Sequence, residues 1–213
     1  MRNWIIIVLV VLGIGFLNLF SSRLDSENEW PESMGASLAS SWFWVQGYGA
    51  WLKKDEPRLI DSYRFATALN PSNLAYWRLA AQTIAFDLPV WNDDRSRNDY
   101  GRDALEFFEN SRPYFKNDSE WFQTGAFIAE TVVADRPLAL GYLEEGVAID
   151  EFPYLLGKSY ARLLTESGKR SEALSFLRSW QPRLEGDAYP ERPQEIAEWI
   201  LSLEKEMKPQ HSQ

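Results

Sequence analysis

The chain has no cysteine and a single histidine. The first absence removes disulfides, thiolate nucleophiles and cysteine-based zinc sites together. It leaves the compartment open, because a chain without thiols folds equally well in reducing or oxidising surroundings. The one histidine, His211, follows Pro209 at the extreme C-terminus, and residues 209–213 read as a disordered polar tail. No imidazole remains to serve the body of the protein as general base or metal ligand. Positive charge is also short: 22 Lys and Arg face 31 Asp and Glu, a formal net charge of -9. Nucleic acid is a poor partner for such a chain, since phosphate binding relies on clustered cations.

Catalytic signatures are missing in turn. There is no glycine-rich phosphate loop, no Gly-x-Ser-x-Gly elbow and no His-Glu-x-x-His. Glu144 and Glu145 are adjacent, so on a helix they face different directions and suit solvent better than paired acid–base work. The cluster Asn92-Asp93-Asp94 lacks the glycine and terminal glutamate of a calcium loop. The expectation is a protein without catalytic residues, metal or cofactor.

What the chain has in abundance is aromatic side chains: ten Trp, twelve Phe and nine Tyr. In a helical protein such rings fill the gaps between helices or line a binding groove. It also has one long apolar run. From Trp4 to Phe20, thirteen of seventeen residues are Ile, Leu, Val or Phe, and only Gly13, Gly15 and Asn18 break the series. As a helix it would extend about 26 Å, the low end for a bilayer crossing. The flanking sequence lacks an Ala-x-Ala cleavage pattern, so residues 1–23 are expected to remain as a transmembrane anchor. A short N-terminal flank usually stays in the cytoplasm, which places the remainder on the extracytoplasmic side, in a bacterium the periplasm. Residues 24–39 open with acidic positions and read as a tether, with Trp30-Pro31 just ahead of the first soluble helix.

From Ser40 onward, large and small residues recur in pairs of amphipathic segments. The clearest stretch is Leu164 to Leu174, which reads as a helix end, a Gly168 cap, a short turn and a second helix opening on Glu172-Ala173. Three earlier units fall into the same frame. The first has Phe43 and Gly47, then Leu59, Tyr63 and Ala66, ending on Leu69-Asn70-Pro71. The second has Trp77, Ala80, Ala81 and Ile84, then Ala104 and Phe108. The third has Trp121, Gly125 and Ile128, then Ala139 and Leu143. Units one and three share a turn, Asp55-Glu56-Pro57 and Asp135-Arg136-Pro137, in which Asp caps a helix start and Pro fits its first turn. Eighteen residues separate Leu59 from Trp77, seventeen Ala104 from Trp121 and eighteen Ala139 from Gly157. Regular spacing between units, with length variation confined to one side, is what a solenoid with loop insertions requires.

On these residues the chain resembles the tetratricopeptide-repeat (TPR)-like superfamily, from about Ser40 to Arg183. Two positions depart from its pattern: Leu59 stands where a small residue is usual, and Gly157 where Trp is usual. The resemblance implies an all-α fold: about four TPR-like helix pairs over residues 40–189. A last amphipathic helix within residues 190–208, striped by Ile196, Ile200, Leu203 and Met207, fits the polar-backed lid that a solenoid end needs.

The resemblance also implies where a partner would sit, on a wall lined by the first helices. Unit one would contribute Trp44, Tyr48 and Trp51, and unit two Arg78, Gln82 and Phe86. Units three and four would add Phe122, Glu130, Lys158 and Arg162. That is an aromatic half and a basic half, suited to a partner segment with apolar anchors and a carboxylate. The Asn and Lys pattern by which chaperone-binding members clamp a C-terminal carboxylate is not reproduced. A second candidate is the insertion from Asp87 to Asp99, where Trp91 would stand on a loop as an anchor or fold back to plug the hairpin. The expected function is a membrane-tethered scaffold for a protein partner. The alternatives are a permanent structural subunit of a membrane complex and, with less support, a helical-toroid enzyme acting on envelope glycans.

Overall fold

Aspartate and proline fix where several helices begin. The computed structural model describes residues 32–92, 95–185 and 188–208, and every regular element among them is helical. The expected anchor, the tether up to residue 31 and the tail lie outside the described residues. Within them, no helix is long and apolar enough to cross a membrane.

The first pair is α1 (Glu32–Leu52) and α2 (Glu56–Leu69). α1 starts at Glu32 rather than at Ser40, because Ala36 to Ala39 continue its apolar and small-residue pattern with no breaker. The turn between the helices puts Lys54 in the left-handed region (φ 54°), caps α2 with the Asp55 carboxylate on the Arg58 amide, and seats Pro57 in the first turn. The third pair repeats this joint. Ala134 is left-handed (φ 57°), Asp135 caps through the Leu138 amide at 3.0 Å, and Pro137 follows.

The second pair sets α3 (Leu74–Gln82), a five-residue π-helical turn (Thr83–Asp87) and the short α4 (Leu88–Trp91) against α5 (Arg97–Glu109). A single turn, α6 (Arg112–Phe115), leads to the third pair. That pair is α7 (Ser119–Ile128) with its own π-helical turn (Ala129–Val133), packed on α8 (Arg136–Val147). The fourth is α9 (Tyr154–Glu166) and α10 (Arg170–Trp180), followed by a 3-10 turn (Gln181–Leu184). Last comes α11 (Glu191–Met207), which packs on α10. It carries Pro193 in its first turn, where no amide bond is lost.

Each pair touches mainly the pairs before and after it, so the described chain is a sequential stack of helical hairpins. The second-helix markers Leu59, Ala104, Ala139 and Ala173 are all fully buried. Leu59, out of pattern by size, fills the same seam. Small residues elsewhere set how near the helices approach. A Cβ on Gly125 would lie 2.7 Å from the Tyr142 ring, and one on Gly157 2.7 Å from Trp180, which explains why unit four carries no Trp there.

Trp77 and Trp121 are core residues with their polar ends satisfied. The Trp77 indole N–H donates to the Pro71 carbonyl at 3.0 Å, and Trp121 donates to the Ser111 hydroxyl at 2.7 Å. Trp44 lies between Tyr63 and Tyr76 with ring centroids 4.8 and 4.6 Å away, clamping the first pair to the second. On the closing helix Ile196, Ile200 and Leu203 are buried as the stripe requires, while Met207 remains exposed.

Candidate partner-binding surface

The residues expected on the first-helix wall fall into three groups. Trp44 and Phe122 are packing residues: Trp44 is stacked on both sides, and Phe122 is only 3% exposed, edge-on to Trp121. Phe122 is therefore no contact surface; its ring sits inside the seam between the third and fourth pairs.

The charged members form the second group, and they are matched to one another or to neighbouring helices. Arg162 on α9 donates to Glu130 at 2.7 Å and to Glu166 at 2.9 Å. These bonds, against a smaller desolvation effect, hold the guanidinium more firmly protonated than usual. Lys158 donates to Glu195 of α11 at 2.5 Å, and the Tyr154 hydroxyl donates to the same carboxylate at 2.6 Å. Together these bonds lower the Glu195 pKa from its ordinary value. Arg78 lies 3.6 Å from Glu120. The expected basic half is thus internally compensated. The expectation rested on counting cations along first helices, which does not reveal glutamates brought alongside by the next pair.

The third group keeps apolar surface. Tyr48 is 58% exposed and stacks on Trp51 at 6.0 Å. Trp51 is half-buried, donates its indole N–H to Asp87 at 2.8 Å, and meets Trp91 edge-on at 6.2 Å. Phe86 is half-buried against Phe127 of the third pair at 5.6 Å, and Phe127 is 47% exposed. Gln82 is half-buried on the same helix turn. The rings thus form two separate contacts, one joining the first pair to the second and one joining the second to the third. Phe127, absent from the sequence expectation, is the far member of the second contact.

The stretch from Asp87 to Trp91 is not a loop. It continues α3 through the π-helical turn into α4, with Leu88 fully buried and Val90 facing solvent. Trp91 is half-buried and meets Trp51 of the first pair edge-on. Asn92 beside it donates to Glu56 and, at 3.2 Å, to the Tyr100 hydroxyl.

Two further features complete the surface. A cleft of about 500 Å³ opens between α2 and α5, floored by Ile60, Trp77 and Phe107 and rimmed by Glu56, Asp103 and Glu106. Behind the third pair, Arg112 grips Glu109 through bonds of 2.8 and 3.1 Å, reaches Glu145 at 2.7 Å, and lies 4.7 Å above the Trp121 ring. The Tyr142 hydroxyl donates to Glu109 as well. Burial pushes Tyr142 above its ordinary range and would raise Glu109 too, but the bonds from Arg112 and Tyr142 outweigh it and hold that carboxylate low. Among the described residues, no three Asp, Glu or His side chains are placed to hold a metal ion.

No protein-family model matches the chain, and no curated protein matches it. Among solved structures, the crystal structure of MamA protein matches at 13% identity, covering 82% of this chain and 97% of that one, with a TM-score of 0.46. PilF of Pseudomonas aeruginosa matches at 14% identity, covering 82% of this chain and 92% of that one, with a TM-score of 0.36. Likenesses this distant say nothing of function; the hairpin stack stands on the contacts within the chain itself.

Proposed function

We propose that this chain is a membrane-tethered, TPR-like scaffold that holds a segment of a protein partner at the extracytoplasmic face of the membrane. The observation that carries the proposal is the strip of partly exposed rings, Tyr48, Trp51, Phe86 and Phe127, spread over the first helices of three successive pairs. Rings held by packing and still open on one side lose little entropy on contact, which makes them good anchors. Arg78, Lys158 and Arg162 already have glutamate partners, so the segment is recognised chiefly by apolar side chains. The tether is the apolar run from residue 4 to residue 20. No catalytic role is assigned.

Photocrosslinking in cells tests the site. A photoreactive residue placed at Tyr48 or Phe127 of the full-length protein is expected to capture one specific protein, and one placed at Lys158 is not. Silence at Tyr48 and Phe127 together would overturn the scaffold reading. Two measurements test the tether: resistance of the full-length protein to alkaline extraction from membranes, and digestion of its helical domain by protease added on the extracytoplasmic side.

A further inference from the structure

The two ends of the stack differ. α11 closes one end and turns charged residues such as Glu198 and Lys205 outward. Among the described residues α1 forms the other end, and it carries no charged residue after Glu32. Its inner face, with Ser40, Trp44, Gly47 and Ala50, packs on α2. On its opposite face Gly35, Leu38, Trp42, Val45, Gly49 and Leu52 recur at alternating intervals of three and four, the spacing of a coiled-coil seam. The four large members are 60–66% exposed, and open space lies above both glycines. In a repeat stack every inner pair is covered on both sides, so an apolar end face is an interface without its second half.

We infer that two copies of this chain pair through α1, antiparallel about a two-fold axis. This goes beyond the scaffold reading and uses a different face. Run against itself in reverse, the seam sets Trp42 opposite Val45 of the other copy, Leu38 opposite Gly49, and Leu52 opposite Gly35. Each large side chain meets a smaller one. Such self-complementarity is what a two-fold contact demands. A parallel seam would set Trp42 on Trp42 and Gly49 on Gly49, crowding one layer and emptying another. No charge must be desolvated or kept from its like. The two copies together would cover on the order of 1,000 Å², the lower bound for a specific interface.

The absence of cysteine makes the test direct. Two differently tagged full-length versions, Leu38→Cys and Gly49→Cys, are expressed together, and their membranes are treated with a copper–phenanthroline oxidant. The expected product is a disulfide-linked dimer bearing both tags, with several-fold less disulfide-linked dimer of any kind when either version is expressed alone. Dominant linkage of Leu38→Cys to itself would mean a parallel seam. Linkage of either cysteine to a different protein would mean a foreign occupant, and folded variants that do not link at all would mean no pairing. Any of the three overturns the proposal. Independently, Gly49→Trp fills the space that Leu38 of the other copy needs. Light scattering in detergent should then show the full-length dimer becoming a monomer of unchanged helicity, and a dimer that persists would also overturn it.

Discussion

The Glu130 carboxylate, in the π-helical turn that follows α7, receives the Arg162 guanidinium of α9 at 2.7 Å, so two residues expected to face a partner face each other instead. The contact joins the first helices of the third and fourth pairs and leaves little charge for an outside ligand. Both ends are partly open to water, which limits the value of the bond to about 0.5–1 kcal/mol. Arg162→Ala should lower stability by that amount in urea melts. A double-mutant cycle with Glu130→Ala should return most of it as coupling, and partner capture at Tyr48 should be unaffected.

Glycine positions give opposite outcomes for the same substitution. At Gly125 a new methyl would strike the Tyr142 ring at 2.7 Å. Gly125→Ala should therefore destabilise by about 1–3 kcal/mol, as overpacking does. Gly141, on α8, has nothing within 4 Å of its added Cβ. Gly141→Ala should stabilise by about 0.5–1 kcal/mol through helix propensity alone. Paired denaturant titrations check both signs.

Ala134 holds a left-handed backbone (φ 57°) that glycine adopts without strain. Ala134→Gly should raise stability by about 0.5–1 kcal/mol, measured as a higher urea midpoint at unchanged slope. Ala134→Val should lower it, since a β-branched side chain tolerates that conformation worst.

Acid sensitivity should centre in part on Glu109. Burial alone would raise its pKa, but the bonds from Arg112 and Tyr142 leave it depressed in the folded state. A depressed carboxylate contributes stability above its unfolded pKa, and that contribution is lost as pH falls through the folded value. Urea midpoints followed downward from pH 6 should therefore fall faster for the native chain than for Glu109→Gln below the ordinary glutamate range. Parallel curves would show that the carboxylate has no such role.

The repeat was legible because its markers are chemical necessities. Trp77, Trp121, Ala104 and Ala139 recur where seams close, and Asp55 and Asp135 where helices start. The wall was only partly legible. Nothing local to Arg162 or Lys158 announces Glu130 or Glu195, which lie 32 and 37 residues away in sequence. The π-helical turn at Thr83–Asp87 was hidden too. Its five residues carry no breaker of their own, and the turn lies where the segment packs on α5. The outer stripe of α1 did leave a signal: two interleaved apolar series on one uncharged helix, which a search for a single amphipathic face passes over.

The joint shared by the first and third pairs implies a period longer than one hairpin. Eighty residues separate Asp55 from Asp135, and the same interval separates Leu59 from Ala139, Trp77 from Gly157 and Ala81 from Ala161. By this measure the chain is a doubled tandem of two hairpins. The interval breaks between Ala104 and Ala173, sixty-nine residues apart, because only the first tandem carries the additional length that holds α4. Removing that length would bring the halves into common register, at the cost of the edge-on contact between Trp91 and Trp51.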